Sequence, residues 1–240
     1  MKRRLNNISP ALLMLIVLLI VNTMRRGSAD PSQMIYSKII MLPGIIIGLS
    51  FHEFAHAFAS DRLGDPLPRM QGRVTLNPAA HIDVFGFIAL IFAGFGWGKP
   101  VQIDPRYYKN RRRDELIVSF AGVLMNFFVA VIFTLIAKII ISVNPAVIYS
   151  DLGEIIFEII KDVIFINLVL MVFNLVPVPP LDGFGIITEL FDLRKYSWYE
   201  MVYSNGYMIL FALLIFNVID IIMNPALNFF GNLMFKILVA

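Results

Sequence analysis

Ser50-Phe51-His52-Glu53-Phe54-Ala55-His56-Ala57 contains the pattern H-E-x-x-H. Histidines four residues apart share one helix face and can reach a single metal ion. Glu53, beside His52, is placed to act as general base on a water held there. The surroundings decide the fold. From Ile35 to Ser60 the chain is apolar apart from Lys38 and this cluster. An ionisable residue inside such a run is costly and marks a functional site by default. Three of them in one turn call for a metal or a water-filled cavity. The rival reading is a chance match, with two hydrogen-bonded histidines on a soluble helix. It leaves the apolar run unexplained.

Composition agrees. Of 240 residues, 58% are hydrophobic and 15% charged, against about 25% charged in a soluble domain. The expected architecture is one all-α polytopic membrane domain over residues 1–240. It divides into an N-terminal helix at 5–24, a catalytic core at 35–191 and a C-terminal helical region at 201–240. No cysteine is present. That excludes disulfides, thiolate ligands and a cysteine nucleophile, so any metal must be held by His, Asp, Glu or water.

About 20 apolar residues cross a bilayer. Leu5 to Met24 is twenty residues without a charge. We read it as a retained helix rather than a signal peptide; a cleaved chain would start near Asp30. Ile35 to Ser60 is the second span. Its Gly44 and Gly48 form a small-x-x-x-small pair that lets another helix approach closely. Leu116 to Ala137 is the third span and Ile155 to Val176 the fourth. The fifth centres on Gly206 to Ile219 and ends at Asn224-Pro225, leaving an apolar tail to Ala240. Asp61 to Glu115 carries nine Lys or Arg against six acids, which places it in the cytoplasm. Within it, glycine-rich Val84 to Gly98 is too short for a span and reads as a re-entrant segment. The expectation is five to six transmembrane helices with a re-entrant segment or small β-hairpin on the cytoplasmic side.

A catalytic zinc site usually has three protein ligands and one open position. The third ligand is either His81, the only other histidine, or Asp182. Pro177, Pro179 and Pro180 break the fourth helix near its cytoplasmic end, close to Asp182. The second helix also ends on that side, roughly 10 Å beyond the histidines. Depth therefore favours Asp182.

These motifs resemble the site-2 protease family of intramembrane zinc metalloproteases. His52-Glu53-x-x-His56 matches its first motif, and Asn174 through Gly183 resembles N-x-x-P-x-P-x-L-D-G. Gly122-Val123-Leu124-Met125-Asn126 resembles the G-x-x-x-N element between them. Gly72-Arg73, Leu76-Asn77-Pro78 and Gly94 to Pro100 resemble a compact branch lacking PDZ and CBS modules. The resemblance implies one zinc ion (Zn2+) on His52, His56 and Asp182, with Glu53 as catalytic base. Asn126 and Asn174 are candidates for substrate binding or the oxyanion. Asn126 equally suits helix–helix bonding, and Asn174 equally suits backbone groups freed by the prolines. His81 reads as structural. The implied substrates are transmembrane proteins, the implied setting a prokaryotic cytoplasmic membrane with the site toward the cytoplasm. No nucleic-acid partner is expected. Arg69 to Leu76 offers a strand edge on which an unwound substrate would pair. The alternative functions are a metal transporter or sensor, or a catalytically silent membrane scaffold.

Overall fold

The computed structural model describes residues 30–93 and 97–240. The first apolar segment, Leu5 to Met24, lies outside the described residues, as do 94–96 of the glycine-rich segment. Helix α1 spans Pro31–Arg62. Asp30 caps it by accepting from the Ser32 amide at 3.0 Å. Pro31 takes the first turn, where its missing N–H is harmless. Two short helices follow, α2 (Leu67–Met70) and α3 (Pro78–His81), then α4 (Val84–Ala93). Helix α5 spans Arg111–Val143, capped by the Asn110 side chain on the Arg113 amide. Helix α6 (Asp151–Asn174) is capped by Ser150 on the Gly153 amide. It stops before the three prolines. Helices α7 (Asp182–Phe191), α8 (Tyr199–Ser204), α9 (Gly206–Ile215) and α10 (Val218–Val239) complete the order.

Helices α1, α5 and α6 pack pairwise against one another, and α7 and α10 close the bundle on α5. Gly44 and Gly48 are what bring α1 against α6. A Cβ on Gly44 would lie 2.8 Å from Ile166 Cδ1, and one on Gly48 2.6 Å from Leu170 Cδ1. The larger core joins Val123 and Ala130 of α5, Leu168, Met171 and Val172 of α6, and Ile219, Met223 and Met234 of α10. On the opposite face of α5, Leu124, Phe128, Ile132, Leu135 and Ile139 are exposed. Their spacing of three and four makes one continuous apolar stripe. Such a stripe fits lipid rather than water.

Three described helices are long and apolar enough to cross a membrane: Ser32–Arg62, Arg111–Val143 and Val218–Val239. Helix α6 has the length, but Glu158, Lys161 and Asp162 occupy its first half. Two expectations are corrected. The fifth span does not run from Gly206 to a stop at Asn224-Pro225. It breaks at Asn217, which adopts a left-handed φ of 55°, and α10 then runs straight through Pro225. Asparagine tolerates that conformation. The one hydrogen bond that proline removes is tolerable where neighbouring helices re-satisfy the backbone. Arg69 to Leu76 is not a strand edge. Arg69 and Met70 belong to α2, and Gly72 turns the chain with a φ of 66°. No strand occurs among the described residues; an isolated antiparallel bridge joins Ile82 and Gly98.

Candidate metal centre

On α1 the Nε2 atoms of His52 and His56 lie 3.1 Å apart. Asp182, the first residue of α7, brings Oδ2 to 3.3 Å from the first and 3.2 Å from the second. Two local features carry Asp182 there. The prolines end α6 and turn the chain back. Gly183 then lets it fold tightly, since a Cβ would lie 2.5 Å from the Leu175 carbonyl carbon and 2.6 Å from the Val176 oxygen.

The protons of both imidazoles are assigned by their partners. His56 Nδ1 lies 2.8 Å from the Val118 carbonyl, which only accepts. His52 Nδ1 lies 2.7 Å from Asn126 Oδ1. The Asn126 amide nitrogen donates to Gly48 O at 3.1 Å and Asn167 Oδ1 at 2.9 Å, which fixes its orientation. Asn167 is set in turn by donating to Val163 O at 2.8 Å. Each ring therefore carries a proton on Nδ1 and turns Nε2 toward the Asp182 oxygen. Asp182 Oδ2 is buried without a hydrogen-bond partner. Two ring nitrogens and a carboxylate oxygen converging at this distance call for a shared cation.

Zinc suits this set. A tetrahedral ion with bonds of about 2.0–2.1 Å separates its ligand atoms by about 3.3–3.4 Å. The observed 3.1–3.3 Å edges match one face of that tetrahedron. Room is supplied by Gly122 of α5. A Cβ there would collide with His56 Nε2 and lie 2.6 Å from His52 Cε1.

The remaining candidates fall into place as follows. Glu53 accepts from the Val101 amide at 3.2 Å through Oε2. Asn126 is fully buried and spends both amide hydrogens, so none is free for a substrate oxyanion. It orients His52 instead. Asn174 donates to Leu170 O at 2.9 Å, at the end of α6. His81 is buried outside the cluster, with Nε2 on Thr75 O at 2.7 Å. Sequence reasoning missed Asn167, although a lone amide in the middle of an apolar span is itself a signal. It also missed Arg73, which is buried and donates to the carbonyls of Ala80, Lys99 and Pro100. Burial pulls the Arg73 pKa below the usual guanidinium value, while the nearby Glu53 carboxylate holds it up.

Comparison with known proteins agrees with this centre. Residues 40–163 and 140–217 match the family described as Peptidase family M50. The Bacillus subtilis protein named "Putative zinc metalloprotease YwhC" is 32% identical over 199 residues, covering 81% of this chain and 90% of that protein. Rip2 of Mycolicibacterium smegmatis, likewise named, is 29% identical over 196 residues, covering 79% and 69%. No solved structure matches the chain significantly. With a three-ligand zinc cradle inside a helical bundle and a family match over most of its length, the chain belongs to peptidase family M50, the site-2 protease family, and is a zinc metalloprotease.

Proposed function

We propose that this protein hydrolyses peptide bonds within or beside transmembrane segments of other membrane proteins. The observation that carries the reading is the convergence of His52 Nε2, His56 Nε2 and Asp182 Oδ2, with Glu53 in the same helical turn. His52, His56 and Asp182 would hold a zinc ion, which would polarise the scissile carbonyl and acidify the attacking water. Glu53 takes the proton from that water as its oxygen bonds to the carbonyl carbon. It then delivers a proton to the amine as the C–N bond breaks. The Nδ1 atoms of His52 and His56 are engaged by Asn126 and Val118, which leaves Nε2 of each ring for the metal. Asn126 keeps His52 in register, and Asn174 closes α6 ahead of the turn that delivers Asp182.

The site lies six to ten residues from the C-terminal end of α1, about 9–15 Å along the helix axis. Water then enters from the cytoplasmic side of a prokaryotic cytoplasmic membrane, the side of the basic segment. Residues 1–240 act as one membrane domain of five to six spans. A substrate helix must unwind locally, since its own hydrogen bonds shield the peptide.

The test uses purified protein in detergent, a reporter with one transmembrane segment, and a zinc assay. Glu53→Gln is expected to retain about one zinc per chain and lose cleavage by about 10²–10⁴-fold, the range for a removed general base. Cleavage at the wild-type rate by the zinc-loaded variant would sink the mechanism.

A further inference from the structure

A second constellation of polar groups lies beside the metal centre and is used by none of the steps above. Arg73 is 5% exposed and pairs with no carboxylate among the described residues. A buried cation without an anion is expensive unless its hydrogens are well placed. Here they are. One guanidinium nitrogen donates to Ala80 O of α3; the other donates to Lys99 O at 3.0 Å and Pro100 O at 2.7 Å. The planar fork thus clamps two segments together. A second tie runs beside it, with the Lys99 amide donating to His81 O at 2.6 Å. Ile82 and Gly98 pair antiparallel at the same place.

The residue after the clamped carbonyls is Val101, whose amide donates to Glu53 Oε2 at 3.2 Å. Gly98 covers the other side of the same carboxylate: a Cβ there would lie 3.3 Å from Glu53 Oε1. The segment therefore holds one oxygen and brushes the second. Oε1 accepts no hydrogen bond among the described residues, so it is the oxygen left for proton transfer.

We propose that Trp97–Val101, clamped by Arg73, is a strap that fixes the rotation of the Glu53 carboxylate for catalysis. This rests on Glu53 being the general base. Arg73 and Val101 are positioning residues: neither touches a reacting atom. A carboxylate held in its working orientation needs no reorganisation when the proton moves. A freely rotating one loses that advantage at the chemical step alone. The strap should therefore govern kcat and leave zinc affinity and KM alone.

The experiment compares full-length wild type with Val101→Pro, which deletes the amide donor, Val101→Ala, which keeps it, and Arg73→Lys, which keeps the charge but loses the fork. Cleavage kinetics, zinc affinity by chelator competition, and hydrogen exchange at Val101 are measured. Val101→Pro and Arg73→Lys are expected to lose about tenfold or more in kcat, with KM and zinc affinity within about twofold of wild type. Val101→Ala should keep wild-type kcat. In Glu53→Ala, the Val101 amide should exchange about tenfold faster, because its acceptor is gone. Parallel losses of zinc affinity and kcat would mark a merely structural loop and overturn the proposal. So would unchanged exchange at Val101 in Glu53→Ala. If Val101→Pro does not fold, the exchange comparison and Arg73→Lys decide. The two readings fail separately. An active Glu53→Ala removes the general base itself, whereas an inactive one with unchanged exchange removes only the strap.

Discussion

The two imidazoles are held by unlike partners. His56 leans on a main-chain carbonyl that no side-chain substitution deletes, whereas His52 leans on the Asn126 side chain, itself set by Asn167. The metal centre is therefore vulnerable at one ligand through mutation elsewhere. Asn126→Leu leaves His52 free to rotate or to move its proton to Nε2. Zinc affinity measured by chelator competition is expected to fall about 10–100-fold, the usual cost of losing such an orienting partner. Unchanged affinity would show that His52 needs no help from α5. Gly122 acts by what it lacks, since any side chain there enters the space of both rings. Alanine is a better helix former than glycine by about 1 kcal/mol. Overpacking costs about 1–3 kcal/mol and outweighs that gain, so Gly122→Ala should weaken zinc binding and cleavage and lower thermal stability. A variant with full zinc affinity would contradict the cradle.

At the scale of elements, α7 must hold Asp182 at a fixed depth, and it is anchored at its far end. Arg112 of α5 donates to the Glu189 carbonyl and, at 2.6 Å, to that of Leu190. Arg194 bridges Glu115 of α5 at 2.5 Å and Glu189 of α7 at 2.6 Å. Burial pushes the Glu189 carboxyl above its usual range, the Glu115 charge pushes it further, and Arg194 opposes both. A carboxyl raised in the folded state binds its proton more tightly there than when unfolded. Stability is then lost as pH rises from the ordinary glutamate value through the raised one. Arg194→Leu removes the opposing charge and widens that window. Its melting temperature should fall more between pH 5 and pH 8 than that of wild type. Equal slopes would mean that the pair is solvated and α7 is held by Arg112 alone.

Across the molecule, the proposed topology puts the basic segment from Asp61 to Glu115 and the connection from Val143 to Gly153 on opposite sides of the membrane. The absence of cysteine makes this measurable without background. Lys109 and Tyr149 are both exposed, Tyr149 at 87%. In intact cells, Tyr149→Cys should react with a membrane-impermeant thiol reagent, and Lys109→Cys only after permeabilisation. The reverse pattern would invert the topology and put the metal centre nearer the outer surface.

Helical character, helices apolar enough to cross a membrane and the grouping of His52, His56 and Asp182 were legible in the chain itself. They rest on local signals: a four-residue spacing, runs without charge, and prolines that stop a helix ahead of an aspartate. The break at Asn217 was not legible, because a left-handed asparagine leaves no mark that outweighs the more obvious Pro225. Nor were the bonds that give the centre its chemistry. His52 and Asn126 are 74 residues apart, and Asn126 and Asn167 are 41 apart. Periodicity reports which face a residue occupies, not which atom meets it from another helix. Sequence alone determined the candidate ligands: two histidines four residues apart, with His81 or Asp182 as the third. Only the packing of α1, α5, α6 and α7 brought Asp182 to the pair and set an acceptor against each Nδ1, because a tautomer is set by the neighbour across the interface.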